Sequence, residues 1–495
     1  MNALNLIPAI TEIFLVLAIM LILVVSLFFK EENGPVSYTL SLIVLAVCAA
    51  LSYYHLDAGL STTAFGNMFV ADPLANLLKL AACIATAITL IYSRLYTSDR
   101  GMLSGFLSGE FYVLALLTLL GQMIMISGNN FLIIYLGLEM MSLSLYALVA
   151  LRRDHVASTE ASMKYFILGA LASGFMLYGI SMIYGATGTL DLSMVATTIA
   201  AGTANKTILV FGLVFLVAGL AFKLGTAPFH MWVPDVYQGA PTSVTLLLGA
   251  APKLAAFAIC IRFLVEGLGA LVADWQQMLT VMAVVSIAVG NITAIAQTNI
   301  KRMLAYSTIS QMGFMLLGLL SGFYAGAPAD AATNAYSSAL FYALTYVFTT
   351  LGTFGVVMLL ARQGFEADNL EDYKGLNQRN PWFAAVMMML LLSLAGLPPM
   401  VGFYAKLSVL QAVFATGQIW LALFAVLFSL IGAYYYLRIV KLMYFDEAVD
   451  KHPIVINRSM GLTLSVNGLA VLVVGLWPGA LMALCTYSIS RVLAS

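Results

Sequence analysis

Charged residues are scarce in this sequence. Only 9% of its 495 residues are Asp, Glu, Lys or Arg, whereas soluble globular proteins contain about 25%. Hydrophobic residues make up 62%, the mean hydropathy is +0.98 and the formal net charge is zero. This composition excludes a soluble globular domain and predicts a polytopic membrane protein. A chain without an excess of positive charge is not expected to bind nucleic acid.

Cysteine and histidine are also few, and they are dispersed. None of the four cysteines forms a CxxC pair, and grouped ligands are what an iron–sulfur cluster or a zinc site requires. The sequence has no Walker A or GxGxxG loop after a strand-like segment. We therefore predict that this chain carries no cofactor and no metal, and that it contains no soluble catalytic domain.

What the sequence has instead is a series of long apolar runs. A bilayer core of about 30 Å requires about 20 helical residues, and fourteen runs qualify as candidate spans. The first, from Leu6 to Phe29, lacks a basic start and a cleavage site, so we interpret it as a retained first span. Two spans, 207–237 and 381–412, are predicted to be broken. The fold class predicted from these runs is an all-α polytopic membrane protein with about 14 transmembrane helices.

The basic residues of the predicted loops fall mainly on one face of the membrane. If the N-terminus faces outside, fourteen basic residues lie in cytoplasmic loops and three on the opposite side. The cytoplasmic set is Lys30, Arg94, Arg100, Arg152, Arg153, Lys301, Arg302, Arg362, Lys374, Arg379, Arg438, Lys441, Lys451 and Arg458. The opposite set is Lys206, Arg262 and Arg491. Because cytoplasmic loops carry the excess of Lys and Arg, both termini are predicted to lie outside.

The five remaining basic residues fall inside hydrophobic spans, and all five are lysines: Lys79, Lys164, Lys223, Lys253 and Lys406. Arginine stays charged in any environment, whereas a desolvated lysine can lose its proton at accessible pH. Ionisable residues at this depth cost at least about 2.5–3.5 kcal/mol each, so they persist where they are paired, hydrated or functional. A set of interior bases restricted to the titratable type is what a proton path requires.

Two stretches break their own helices beside such lysines. The first is "GLAFKLGTAPFHMWVPD", where Gly225 and Pro228 follow Lys223, and the second is "LAGLPPMVGFYAK", where Gly396 and Pro399 precede Lys406. Proline removes a backbone donor, and unpaired backbone at membrane depth is tolerated only inside protein or beside water. Each break therefore predicts a hydrated interior. The alternative is a proline kink needed for packing, with a lysine that snorkels to the interface.

The spacing of these features predicts an inverted repeat. Pro228 and Pro399 are 171 residues apart, and Glu139 and Gln311 are 172 apart. Five spans separate each pair, so the two halves run in opposite senses through the membrane. Inverted repeats place ion sites near the midplane. Glu139 lies about 15 Å into its span, at a depth similar to that of the interior lysines.

Glu139 and Lys223 are predicted to be natural partners, because a carboxylate beside a lysine stabilises both charged forms. Two weaker candidates are Lys164, which is either a relay or an interfacial anchor, and His230, which either shuttles protons or hydrogen-bonds freed backbone. Lys79 is interpreted as a snorkelling or paired residue. Glu12, near the outer end of the first span, is interpreted as a partner contact or a partly exposed group.

The stretch "FKLGTAPFHMWVPDVYQGAPTSVTLLLGAAPKLAAF" resembles the signature of the antiporter-like membrane subunits of respiratory complex I. "LGLEMMSLSLYAL" resembles the glutamate motif of their fifth helix, and "EASMKYFILGALASGFMLYG" and "NIKRMLAYSTISQMGF" also fit. The resemblance covers most of the chain, from about the third span to the thirteenth. It implies fourteen helices, divided into helices 1–3 (1–105), a first repeat (106–268), a second inverted repeat (269–445) and a last helix (446–495).

The resemblance also implies roles for individual residues. The family's fifth-helix glutamate corresponds to Glu139, and its lysines on the seventh, eighth and twelfth helices correspond to Lys223, Lys253 and Lys406. A further sixth-helix lysine corresponds to Lys164, and a histidine on the broken seventh helix corresponds to His230. At the twelfth-helix position a related subunit would have a glutamate.

The activity implied by the resemblance is proton translocation driven by NADH–quinone chemistry in other subunits, so the chain would be part of an enzyme without a redox site of its own. The implied partners are other membrane subunits of complex I, namely the antiporter-like M subunit and small subunits such as K and J, in the bacterial inner membrane with periplasmic termini. An Mrp-type cation/proton antiporter subunit shares these helices and lysines and remains the alternative. A purely structural scaffold fits poorly with four ionisable groups near the midplane.

The sequence departs from the family pattern at one position. Relatives in one branch of the family often carry a histidine in the tenth-helix motif, where this sequence has Gln311. Glutamine can hold a chain of waters but does not take up a proton at ordinary pH. If the family needs a titratable group there, water or another residue must bridge Lys253 and Lys406 in this chain.

Overall fold

The computed structural model describes residues 5–28, 35–103, 109–324, 327–328, 330–448, 452 and 454–494. Lys30 and Lys451 of the predicted cytoplasmic loops lie outside the described residues. Across the described part, helices account for almost all of the regular structure. They are α1 (Ile10–Phe28), α2 (Pro35–Asp57), α3 (Pro73–Asp99), α4 (Glu110–Ser127), α5 (Phe131–Val149), α6 (Val156–Thr187), α7 (Leu192–Ala200), α8 (Lys206–Leu224), α9 (Trp232–Gly239), α10 (Thr242–Gly249), α11 (Ala251–Cys260), α12 (Val272–Ile295), α13 (Ile300–Leu320), α14 (Ala331–Leu360), α15 (Leu376–Arg379), α16 (Pro381–Ala395), α17 (Val401–Ala415), α18 (Ile419–Phe445), α19 (Arg458–Leu476) and α20 (Gly479–Leu493).

The predicted fold class, an all-α polytopic membrane protein, is confirmed. Within the described residues, thirteen helical segments are long and apolar enough to cross a membrane. The predicted twelfth span is divided into the shorter helices α16 and α17, so these thirteen segments and that pair account for the fourteen predicted spans. A hairpin of two short strands, β1 (Thr62–Ala64) and β2 (Phe69–Ala71), and the short helix α7 were not predicted.

The predicted eighth span, 242–265, is not a continuous α-helix. It is interrupted at Ala250, where φ is −112° and ψ is −102°, and the chain resumes as α11 with Pro252 near its start. The last turns, Ile261–Gly267, are π-helical. Proline lacks the backbone N–H that would continue the ladder, so Pro252 accounts for the interruption. The consequence is that Lys253 lies in the first turn after a break.

The predicted fourteenth span, 459–484, is also divided and extends farther. α19 ends at Leu476, Pro478 precedes α20, and α20 continues to Leu493. Pro478 cannot donate to the helix ladder, which explains why α19 stops. Gly475 packs directly on the break between α16 and α17, since an added Cβ would lie 2.3 Å from the carbonyl oxygen of Pro399.

Helices α4 and α5 touch through their backbones at Gly121 and Gly137. A Cβ added to Gly137 would lie 2.8 Å from the nitrogen of Met125, and one added to Gly121 would lie 2.5 Å from the nitrogen of Met141. Small residues allow this close approach inside membranes. The contact positions α5, which carries Glu139 two residues after Gly137.

We expect Gly137→Val to force α5 away from α4, because rigid backbone atoms occupy the space of the new side chain. Overpacking of this kind typically costs about 1–3 kcal/mol. The midpoint of thermal unfolding of the detergent-solubilised protein should therefore fall. Gly174→Val on α6 is the matched control, since an added Cβ there meets nothing within 4 Å. Equal midpoints for the two variants would contradict the role given to the contact.

Candidate functional site

The first broken helix ends at a glycine that leaves two backbone carbonyls for a lysine. α8 ends at Leu224, and Gly225 follows with φ of +79°, the left-handed conformation that commonly ends a helix. The ammonium of Lys253 donates to the carbonyl oxygens of Leu224 at 2.9 Å and Lys223 at 3.3 Å. A cation at the C-terminal end of a helix is stabilised by the helix dipole. The break predicted from Gly225 and Pro228 therefore forms a binding site for a lysine from another span.

Lys253 lies in a closed environment. Its side chain is only 1% exposed, and its ammonium lies 5.5 Å from the ring centroid of Trp232. The Trp232 indole in turn donates to the carbonyl of Phe222 at 2.9 Å, which holds the two halves of the broken helix together. In the described part of the chain, the hydrogen-bond acceptors of Lys253 are neutral carbonyl groups. A proton held by neutral dipoles can be passed on without separating an ion pair.

Lys223 does not contact Glu139 directly. Its buried ammonium donates to the hydroxyl of Ser142 at 2.8 Å, and Ser142 lies on α5 three residues after Glu139. One carboxylate oxygen of Glu139, Oε1, is buried without a hydrogen-bond partner among the described residues. The direct ion pair predicted from the sequence is therefore absent from this structure. The Ser142 hydroxyl itself donates to the carbonyl of Leu138 at 2.6 Å, so Lys223 is bound to the helix that carries Glu139 and not to its carboxylate.

The second broken helix repeats the arrangement of the first. α16 ends at Ala395, Gly396 follows with φ of +83°, and α17 begins at Val401. The ammonium of Lys406 donates to the carbonyls of Leu394 at 3.2 Å and Ala395 at 2.9 Å. Its third donor bond goes to the hydroxyl of Ser429 at 2.9 Å. Both breaks thus present the last carbonyls of a half-helix to a buried ammonium.

Gln311 lies beside Lys406 and shares an acceptor with it. The amide nitrogen of Gln311 donates to the carbonyl of Leu394 at 2.9 Å and to the hydroxyl of Tyr436 at 3.1 Å, and its amide oxygen accepts from Tyr342. A cavity of about 20 Å³ borders both Gln311 and Lys406. This volume is enough for about one water molecule.

The remaining two candidates are not part of these arrangements. The side chain of Lys164 is 44% exposed, and its ammonium pairs with Asp235 at 2.9 Å and Glu160 at 2.8 Å. His230 lies in the loop of the first break, and its Nδ1 is buried without a hydrogen-bond partner among the described residues. The structure therefore brings the backbone carbonyl of Lys223 to the ammonium of Lys253 and the side chain of Gln311 to Lys406, but it places Lys164 in a separate ionic cluster.

The comparisons with known proteins agree with this architecture. Residues 128–432 match the family described as "NADH:quinone oxidoreductase/Mrp antiporter, TM". The chain belongs to this family. It is 66% identical over 495 residues, the full length of both chains, to a protein of Herminiimonas arsenicoxydans named NADH-quinone oxidoreductase subunit N.

Two solved structures are similar to the chain over nearly its whole length. One is a chain of respiratory complex I from Thermus thermophilus with bound aureothin, at 30% identity and a TM-score of 0.80, covering 96% of this chain and 99% of that one. The other is a chain of the Mrp complex from Dietzia sp. DQ12-45-1b, at 20% identity and a TM-score of 0.84, covering 98% and 97%. The second likeness shows the fold alone.

One ionic cluster was not predicted from the sequence. Glu366 accepts hydrogen bonds from Arg100 at 2.8 Å, Arg152 at 3.0 Å and Tyr96 at 2.8 Å. Burial alone would raise the pKa of Glu366, but the hydrogen bonds from Arg100 and Tyr96 outweigh it and hold that pKa below its ordinary value. The cluster joins the ends of α3, α5 and α14 at the same face of the bundle.

A cavity of about 330 Å³ opens beside this cluster and reaches the pair of Lys164 and Asp235. Asp235 also binds Arg302 at 2.7 Å. Asp368 pairs with Lys301 at 3.3 Å, and burial raises the pKa of Asp368 despite that neighbouring ammonium. Apart from Lys164, the basic residues were visible in the sequence as loop charges. Of their carboxylate partners, Glu366 and Asp368 come from the distant stretch "GFEADNLED" and Asp235 from the first broken span, and no local signal assigns them.

The sequence predicted that the basic residues inside the membrane are all lysines. The structure shows that other charged residues are buried as well. Arg262 was counted among the basic residues on the side opposite the cytoplasm, and its side chain is only 2% exposed and pairs with Asp72 and Glu266, each at 2.7 Å. Glu12 was interpreted as a partner contact or a partly exposed group, but it is buried and pairs with Lys79 at 2.5 Å. These ion pairs do not involve Glu139, Lys223, Lys253 or Lys406.

Among the described residues, no group of His, Cys, Asp and Glu side chains could hold a metal ion.

Proposed function

We propose that this chain is a proton-translocating membrane subunit of NADH–quinone oxidoreductase. Protons would move along Glu139, Lys223, Lys253 and Lys406, with hydroxyls and water between them, and redox chemistry in other subunits would drive the movement. The observation that carries the proposal is the pair of buried ammoniums, each held by the end carbonyls of a broken helix. The full-length relative named as subunit N of this complex supports it.

The two breaks support the division into two inverted repeats, 106–268 and 269–445, flanked by 1–105 and 446–495. Gly225 and Gly396 both adopt positive φ, and both are followed by prolines that are 171 residues apart. The repeats differ in one respect. The lysine at the first break comes from the following span, whereas Lys406 comes from the second half of its own broken helix.

The partners in this proposal are the antiporter-like M subunit and small membrane subunits such as K and J, in a bacterial inner membrane with both termini on the periplasmic side. The excess of basic residues in the loops assigned to the cytoplasm supports this orientation. Glu139 on α5 is partly exposed, which supports coverage by a neighbouring subunit, since a midplane carboxylate facing lipid is costly.

The second candidate function is a subunit of an Mrp-type cation/proton antiporter. The Mrp chain with a TM-score of 0.84 is consistent with it, but at 20% identity that likeness extends to the fold only. Copurification separates the two functions. A chain that purifies with flavin- and cluster-bearing subunits belongs to the redox complex, and one that purifies without them contradicts the main proposal.

Glu139→Gln tests the proposal directly. The amide keeps the size of the side chain and removes its charge and its proton, so the assembled complex should pump markedly fewer protons per NADH oxidised. Proton uptake and NADH oxidation are measured together in inverted membrane vesicles, and assembly is checked by native gel electrophoresis. Glu160→Gln, at an exposed carboxylate on α6, is the matched control and should pump normally. Unchanged pumping in Glu139→Gln would contradict the proposal.

A further inference from the structure

Gln311 does not relay a proton in this chain, because an amide does not take up a proton at ordinary pH and both of its N–H donors are engaged. A glutamine amide has two N–H donors, and here one goes to the carbonyl of Leu394 and the other to the hydroxyl of Tyr436. The amide oxygen accepts from Tyr342. A proton moving from Lys253 to Lys406 therefore needs a route past Gln311.

A row of buried hydroxyls lies beside it. Tyr346 on α14 donates to the hydroxyl of Thr308 on α13 at 2.8 Å, and Thr308 precedes Gln311 by three residues. Tyr346 also borders the cavity of about 20 Å³ that Lys406 borders. The cavity accommodates about one water molecule, so a hydroxyl and an ammonium can be connected across it.

Tyr237 on α9 extends this row toward Lys253. Its hydroxyl is buried and makes no hydrogen bond of standard geometry among the described residues, but it interacts with the side chains of Thr308 and Tyr346. A Cβ added at Gly249 would lie 3.4 Å from that hydroxyl, so the hydroxyl lies against the last residue of α10, in the span that also carries Lys253. The Tyr237 ring also packs edge-on against Trp232, the residue that Lys253 faces.

We infer that Tyr237, Thr308 and Tyr346 form the relay between Lys253 and Lys406 and bypass Gln311. The inference rests on the proposed function. A hydroxyl donates and accepts at once, so each one accepts a proton on its oxygen and releases its own to the next group. The Lys253 ammonium gives up one proton, and the neutral amine of Lys406 gains one. In the structure Tyr346 donates to Thr308, and Thr308 donates to the carbonyl of Leu304 at 2.9 Å, so both hydroxyls rotate before each transfer toward Lys406 and rotate back after it.

The test uses the whole complex in inverted membrane vesicles, with Lys406→Met as the reference. Tyr346→Phe and Thr308→Val remove one hydroxyl each and keep the shape of the side chain. Each should lower the protons pumped per NADH oxidised to the value of Lys406→Met, with assembly unchanged. Tyr92→Phe is the matched control, because it removes a buried hydroxyl that binds Asn467 at 3.3 Å, away from the row. It should pump normally.

The outcomes separate the relay from the proposed function. If Lys406→Met loses pumping while Tyr346→Phe and Thr308→Val both retain it, the relay is wrong and the function stands. If Lys406→Met and Lys253→Met also pump normally, the proposed function itself is wrong.

A rescue variant distinguishes conduction from packing. Gln311→His places a titratable group beside Lys406 on a different helix from Tyr346. In the double variant Gln311→His/Tyr346→Phe, pumping should recover to at least half of the unmodified value. A histidine cannot restore a packing defect caused by losing the Tyr346 hydroxyl. A double variant no better than Tyr346→Phe alone would overturn the bypass.

Discussion

Lys253→Met should abolish proton transfer through this chain while leaving the chain folded and inserted. Methionine has nearly the length of lysine and no titratable group, so it fills the same space beside Trp232 without carrying a proton. The carbonyls of Lys223 and Leu224 lose their donor, which costs about 1–3 kcal/mol per buried group left unsatisfied. Removing a buried charge offsets part of that cost, and the complex should still assemble.

Lys253→Arg distinguishes a lysine that carries protons from a lysine that serves as a fixed positive charge. Arginine keeps the positive charge and can still donate to both carbonyls, but it does not release its proton at accessible pH. If Lys253 serves only as a fixed charge that holds the end of α8, arginine should preserve activity. If Lys253 carries protons, arginine should fail as completely as methionine. We expect the second result, as at least a tenfold drop in the rate of proton transfer through this chain.

The initial rates of proton uptake and of NADH oxidation are measured together and normalised to the amount of assembled complex. Their ratio gives the protons taken up per NADH oxidised. Lys441→Met is the matched control, because this lysine is 68% exposed at the end of α18 and its ammonium lies 3.7 Å from a carboxylate oxygen of Asp446. It should behave like the unmodified chain. Normal pumping in Lys253→Arg would remove Lys253 from the proton path.

Local rules explain which parts of the site the sequence could predict. Gly225 and Gly396 each supply the positive φ that ends a helix, and the prolines that follow cannot donate to a continuing ladder. These effects depend on a few neighbouring residues, so both breaks could be located from the sequence. The pairing of each break with a buried ammonium follows from the same logic, because freed carbonyls in a dry interior need donors.

The identity of each donor could not be predicted in the same way. Lys223 is next to the first break, but Lys253, about thirty residues later, binds the carbonyls there, and Lys223 turns to Ser142. That choice depends on how α11 packs against α8, and sequence spacing along one helix does not specify it. The interruption at Ala250 places Lys253 beside the end of α8. It was not predicted because the residues around it form an uninterrupted apolar run.

Long-range ion pairs were missed for a related reason. Arg262 and Asp72 are 190 residues apart and meet only because α11 packs against α3. Hydropathy places each residue at the end of a span, where an exposed loop is the ordinary expectation. The three-dimensional packing of the helices instead closes over both groups, and each charge is retained because its partner is present.

Lys79→Met should destabilise the chain strongly although Lys79 lies outside the proton path. Its ammonium and the carboxylate of Glu12 are 2.5 Å apart, and the two side chains are only 2% and 8% exposed. Removing one member leaves a carboxylate buried without its counter-ion, and breaking a buried pair in this way costs on the order of 3–5 kcal/mol. The midpoint of thermal unfolding should fall accordingly.

The double variant Glu12→Leu/Lys79→Met distinguishes a lost counter-ion from lost packing. It removes both charges, and replacing a whole buried pair with apolar groups is often neutral. Most of the lost stability should therefore return, whereas a double variant no more stable than Lys79→Met would contradict this account. Lys374→Met, which breaks a solvent-accessible pair with Glu371, should leave the midpoint of thermal unfolding nearly unchanged.

The double variant Glu12→Leu/Lys79→Met should also pump protons normally. Once stability is restored, the protons pumped per NADH oxidised should equal those of the unmodified complex, because Glu12 and Lys79 hold α1 to α3 and pair with each other. Lys253 and Lys406 differ in that their hydrogen bonds go to neutral acceptors. A buried lysine with a carboxylate partner supports the fold, and a buried lysine held by backbone carbonyls is free to exchange its proton. Loss of pumping in the stable double variant would show that this distinction is wrong.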